Sequence, residues 1–117
     1  MVTTLKPSRI NGFTSKIISK TTDYTLKLED DTVLVDTTAL AVNILFPIST
    51  SQIPLNKSFK IVFDNGNNNL ILNGNGNNLR NINTGNNGKT ATATYNPVYF
   101  RGSTFVYFWT GSYWQAM

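Results

Sequence analysis

The chain has 117 residues and a formal net charge of +4; it is 40% hydrophobic and 12% aromatic, yet only 14% charged, against an average of about 25%. It contains neither cysteine nor histidine, which removes disulfides, thiolate nucleophiles, Cys-ligated metals and imidazole bases or ligands. No apolar run is long enough to span a membrane as a helix, so a single non-enzymatic domain without a cofactor is expected.

The opening segment, residues 1–20, holds Lys6, Arg9, Lys16 and Lys20 and no acid, whereas residues 21–117 hold six basic and six acidic groups. The whole positive surplus therefore belongs to the first twenty residues. They lack helical periodicity and the apolar core of a signal peptide, and they read as a basic arm preceding a body of residues 21–117. Such an arm is either a solvated terminus or a tether lying on an acidic surface. Nucleic acid fits poorly as that surface, because the basic residues are sparse and Phe13 is the arm's one aromatic.

From Tyr24 onward the apolar residues recur with period two, the signature of strands. Tyr24, Leu26 and Leu28 alternate with Thr25 and Lys27, Glu29-Asp30-Asp31 turns the chain, and Thr32–Asp36 forms a second strand. Val42, Ile44 and Phe46 share a face, and Pro47 ends that strand because it cannot donate to a ladder. Phe59, Ile61 and Phe63 form the next one-sided face. Half of residues 65–88 are Asn and five are Gly. The recurring Asn-Gly pairs favour tight turns with positive φ, while Leu70-Ile71-Leu72 favours an ordered strand over a low-complexity tract.

Thr90–Tyr95 alternates small and hydroxyl side chains. Thr104–Thr110 is apolar on both faces and requires cover on both sides. A Gly111-Ser112 turn returns the chain through Trp114. The expected fold is all-β, a small antiparallel sandwich or prism-like module. Bulky rings on both sides of the last strands exceed what a thin body covers, so Phe105, Tyr107, Phe108, Trp109 and Trp114 are expected at a contact between copies of the chain.

Other motifs carry less. Gly74-Asn75-Gly76 lacks the final glycine and the βαβ setting of a nucleotide fingerprint. Glu29-Asp30-Asp31 with Asp36 lacks the alternation of a calcium loop and reads as a solvated turn. No spacing selects a pair of carboxylates for sugar hydrolysis. Exposed aromatics and the many Asn side chains also suit sugar binding.

Tyr24-Thr25-Leu26, Asp30-Asp31-Thr32-Val33-Leu34-Val35-Asp36-Thr37 and Val42-Asn43-Ile44-Leu45-Phe46-Pro47 follow one another in an order that resembles a segment recurrent in bacteriophage fibre and capsid-attached proteins. Lys57-Ser58-Phe59-Lys60-Ile61-Val62, Asn69–Gly76 and the aromatic end Tyr107–Trp114 extend the likeness over residues 22–117. Phe46 departs from the family's Leu, and the Asn-rich stretch is longer. The resemblance implies a homotrimeric structural protein of the virion: a capsid decoration protein, or a head fiber or tail fiber component, bound to another virion protein through its arm. An alternative is a receptor-binding, lectin-like module recognising host-surface glycan.

Overall fold

The computed structural model describes residues 16–48, 52–81 and 88–117. Its strands are Ile17–Lys20 (β1), Tyr24–Thr25 (β2), Thr32–Thr37 (β3), Val42–Leu45 (β4), Ser58–Gly66 (β5), Leu70–Asn73 (β6), Leu79–Arg80 (β7), Lys89–Thr90 (β8), Thr92–Tyr95 (β9), Thr104–Trp109 (β10) and Trp114–Ala116 (β11). One helical turn, Pro97–Phe100 (α1), starts where the Asn96 side chain accepts from the Val98 amide at 2.9 Å. The fold is all-β, as the period-two pattern requires.

Among the described residues the strands form a seven-stranded sheet, β1-β3-β5-β10-β11-β7-β8, and a four-stranded sheet, β2-β4-β6-β9. Through β6 the chain alternates between the two sheets, so each circuit lays one strand in each. Successive circuits stack in parallel: Ile17 pairs with Thr32 and Thr32 with Lys60, while Tyr24 pairs with Ile44 and Val42 with Leu70. Antiparallel pairing begins after this coil, where β10 adds to β5 and β9 to β6. The expected antiparallel body is thus corrected to a parallel coil with a mixed end, antiparallel at β9, β10 and β8 and parallel between β11 and β7. Period two marks a strand and its buried face but is silent on which strand lies beside it.

Inward-facing residues of both sheets share one core that includes Val33, Val35, Ile44, Ile61, Phe63 and Leu72, each fully buried. The Asn-rich stretch supplies corners to this stack. Asn75 and Gly76 both take positive φ (+55° and +93°), and the Asn77 amide donates to Gly74 O at 3.2 Å. That is the tight turn an Asn-Gly pair favours. The Asn68 side chain donates to Thr37 O (2.7 Å), Asn75 to Phe46 O (3.1 Å) and Asn77 to Pro47 O (3.3 Å). Each of these amides reaches back one circuit to a backbone carbonyl and ties the two circuits together.

Between β3 and β5 the register shifts after Val35, so that Phe63 pairs with Val35 and Asn65 with Asp36, leaving Asp64 as the extra residue of a bulge. Gly66 follows at φ +109°, and a Cβ there would stand 2.4 Å from the Thr37 carbonyl carbon. Only glycine fits that approach.

Candidate functional site

The aromatic residues expected at a contact between copies divide by strand parity. Along β10, Tyr107 and Trp109 point into the core, at 1% and 7% exposure, and on β11 Trp114 is fully buried. The Trp114 ring lies 4.8 Å from Phe46, 5.4 Å from Phe59 and 5.1 Å from Trp109, centroid to centroid. Phe105 is partly exposed and stacks on Tyr95 at 4.0 Å. The expectation that Tyr107, Trp109 and Trp114 meet other copies is corrected: a single chain encloses them. Phe46, at the end of β4, and Phe59 of β5 fill the space that the sequence alone leaves open.

Phe108 faces the other way. It belongs to an outer face of the larger sheet on which Leu34, Val62, Val106 and Phe108 are partly exposed and Ile17 is 62% exposed. Strand register assembles this face. Ile17, Thr32, Lys60 and Val106 lie in one row across four strands, and Leu34 and Val62 sit side by side in the next. Phe108 stands opposite Ser58 on one side and Gln115 on the other. The face is mixed: Leu34, Val62, Val106 and Phe108 form an apolar patch among Ser19, Thr32, Ser58, Thr104 and Gln115, with Asp36 on β3 and Lys60 and, at the bulge, Asp64 on β5 as charges. A solvated sheet face normally carries polar residues in the positions of that patch.

The basic residues of the expected arm also divide. Lys6 and Arg9 lie outside the described residues. Lys16 and Lys20 belong to the body, because Ile17–Lys20 pairs in parallel with β3 and the strands begin before residue 21. The Lys16 amide donates to Asp31 Oδ2 at 3.0 Å, and its ammonium lies 3.4 Å from Asp30 Oδ1 and 3.7 Å from Glu29 Oε2. The Lys20 ammonium stands 4.1 Å over the Tyr24 ring.

Asp30, expected in a solvated turn, is fully buried. Its Oδ2 accepts from the Tyr24 hydroxyl at 2.6 Å and from the Lys27 amide at 2.8 Å. The Lys57 ammonium donates to Asp30 O at 2.7 Å and pairs with Asp31 at 3.6 Å. Burial works to raise the Asp30 carboxyl, but the Tyr24 hydroxyl, the Lys27 amide and Lys16 together hold it below the usual aspartate range. Burial and the neighbouring carboxylate push the Tyr24 phenol up to about 12. The acids of this turn fasten the first circuit to the third and do not gather as a metal centre. Among the described residues no group of three or more acidic side chains could hold a metal ion.

No helix among the described residues is long and apolar enough to cross a membrane. Compared with known protein families, characterised proteins and solved structures, the chain matches none.

Proposed function

We propose that the chain is a non-enzymatic structural protein of a bacteriophage particle, a homotrimeric capsid decoration or fibre component held to the virion by its basic N-terminal residues. The observation that carries the assembly part is the apolar patch on the outer face of the larger sheet. Leu34, Val62, Val106 and Phe108 are partly exposed on a single chain, and covering them against copies of the same face removes their remaining apolar area from solvent. Asp36 and Asp64 with Lys60 and Arg80 give the face charges of both signs, so copies of it can complement one another. Attachment falls to residues 1–15, with Lys6 and Arg9, since Lys16 and Lys20 are engaged in the body. Three arms on one assembly add avidity without any new contact. The placement on a phage particle rests on the resemblance of residues 22–117 to fibre and capsid-attached proteins.

The test compares the full chain with one lacking residues 1–15, each produced in cells that assemble the phage particles. Recovery of the full chain with purified particles, and loss of the shortened chain at unchanged melting temperature, is the expected result. Absence of the full chain from the particles contradicts the virion assignment, and equal recovery of both contradicts the role of the arm.

A further inference from the structure

An asparagine followed by glycine can react with its own backbone. The glycine amide nitrogen attacks the side-chain carbonyl carbon, the side-chain amide leaves as ammonia, and a succinimide ring closes. Water then opens that ring to aspartate or isoaspartate. Glycine favours the attack because no Cβ hinders the approach of its nitrogen. Within the described residues such pairs are Asn65-Gly66, Asn73-Gly74 and Asn75-Gly76.

Ring closure needs the Asn backbone to rotate away from its folded angle. Each pair therefore reacts when its segment opens, and the cost of that local opening sets the rate. Two of the pairs are held fast. Asn65 lies in the β3–β5 ladder opposite Asp36, and Gly66 is buried against the Thr37 backbone. The backbone and side-chain amides of Asn68 tie the same Thr37 at 3.2 and 2.7 Å. Asn73 sits in two ladders at once, opposite Leu45 on one side and Thr92 on the other. The Gly74 amide, which would have to attack, donates to Ala91 O at 2.9 Å. The Asn73 side chain, which would be attacked, accepts from the Asn75 amide at 2.7 Å.

Asn75 is placed differently. Its attacking nitrogen belongs to Gly76, an exposed residue at φ +93° whose amide takes no part in the turn's own bond from Asn77 N to Gly74 O. Opening this corner costs that bond, at 3.2 Å, and the one from Asn75 Nδ2 to Phe46 O, at 3.1 Å, while the ladders beside it stay closed. We propose that Asn75 is a site of spontaneous deamidation and that its conversion unfastens this corner from Phe46. The product carries a carboxylate where the Phe46 carbonyl had a donor, and two acceptors repel. The isoaspartate form also adds a methylene to the backbone of a tight turn. The reaction needs water alone, so it stands apart from the assembly and virion readings.

The experiment keeps the full chain folded at mildly alkaline pH and physiological temperature for weeks, with a parallel sample unfolded in urea. Trypsin, cutting after Lys60 and Arg80, gives one peptide that carries all these pairs, and fragment mass spectrometry assigns each conversion. In the folded chain Asn75 should convert at least about tenfold faster than Asn65 or Asn73, the effect of about one further hydrogen bond to break. In urea the rates should converge. Asn75→Asp, which reproduces one product, should melt below the parent. Conversion of Asn65 or Asn73 as fast as Asn75, no conversion of Asn75 in the folded chain, an equal preference for Asn75 in urea, or an Asn75→Asp variant that melts with the parent each overturns the inference.

Discussion

Replacing Asp30 by asparagine keeps the shape of a buried side chain and removes its charge. The Tyr24 hydroxyl and Lys27 amide, at 2.6 and 2.8 Å, then donate to a neutral amide oxygen in place of a carboxylate. Bonds to a charged acceptor contribute about 1.5–3 kcal/mol and neutral ones about 0.5–1.5, so the two together weaken by about 2–3 kcal/mol. The Lys16 ammonium is about half exposed, and its screened attraction adds less than about 1 kcal/mol. A total near 3 kcal/mol lowers the melting temperature of a body this size by about 10 °C or more. Thermal and urea unfolding followed by circular dichroism measure both quantities.

The pH dependence supplies a second readout. Asp30 titrates below the unfolded value of 3.8. Its contribution is therefore present above that value and lost as the pH falls through the folded one. The stability difference between the parent and Asp30→Asn should close progressively as the pH falls through 3.8 and below. A variant that loses under about 0.5 kcal/mol at neutral pH, or a gap that stays constant into acid, would refute this account of the Asp30 turn.

Four further outcomes follow from the same geometry. Trp114→Ala should cost about 3–5 kcal/mol in urea unfolding; a near-zero change would place the ring outside the core. Asn68→Ala removes the stitch between the third and second circuits at Thr37, and calorimetry should show a loss of about 1–2 kcal/mol. Gly66→Ala, at positive φ against the Thr37 backbone, should lose at least about 2 kcal/mol, and a neutral result would contradict the close approach. The Tyr24 phenol is raised to about 12, so its contribution is complete below the unfolded value of 10 and disappears as the pH rises through 12. Ultraviolet titration of the parent against Tyr24→Phe should show that late phenol.

Much of the body was legible in the residues. The alternation in Thr32–Thr37 and Ser58–Phe63 marks both the strands and their buried faces, and Asn75-Gly76 marks a turn that forms. Partners were not legible. Ile17 and Thr32 lie fifteen positions apart with nothing in either that names the other, since parallel pairing across circuits is a property of how the connections run. The same gap explains the aromatic residues. Parity separates Phe108 from Tyr107 and Trp109, but the enclosure of Trp114 depends on Phe46, brought from the end of β4. Composition groups Ile17 and Ile18 with the basic residues before them, because their polar neighbours dilute the period, and the ladder to β3 overrides that composition. The Asp30 turn carried an acidic pattern that suits solvent, and a Tyr six positions earlier gave no sign of reaching back to it.

The mass of the assembly in dilute solution, measured by light scattering for the parent chain and for Val62→Lys with Phe108→Lys, bears most directly on the role of the outer face. The parent should weigh about three times the 13.0 kDa of one chain, and the double variant about 13 kDa with unchanged tryptophan fluorescence, because Trp109 and Trp114 are enclosed by the single chain. A parent that weighs 13.0 kDa at every concentration, or a double variant that keeps the parent's mass, would contradict assembly through that face.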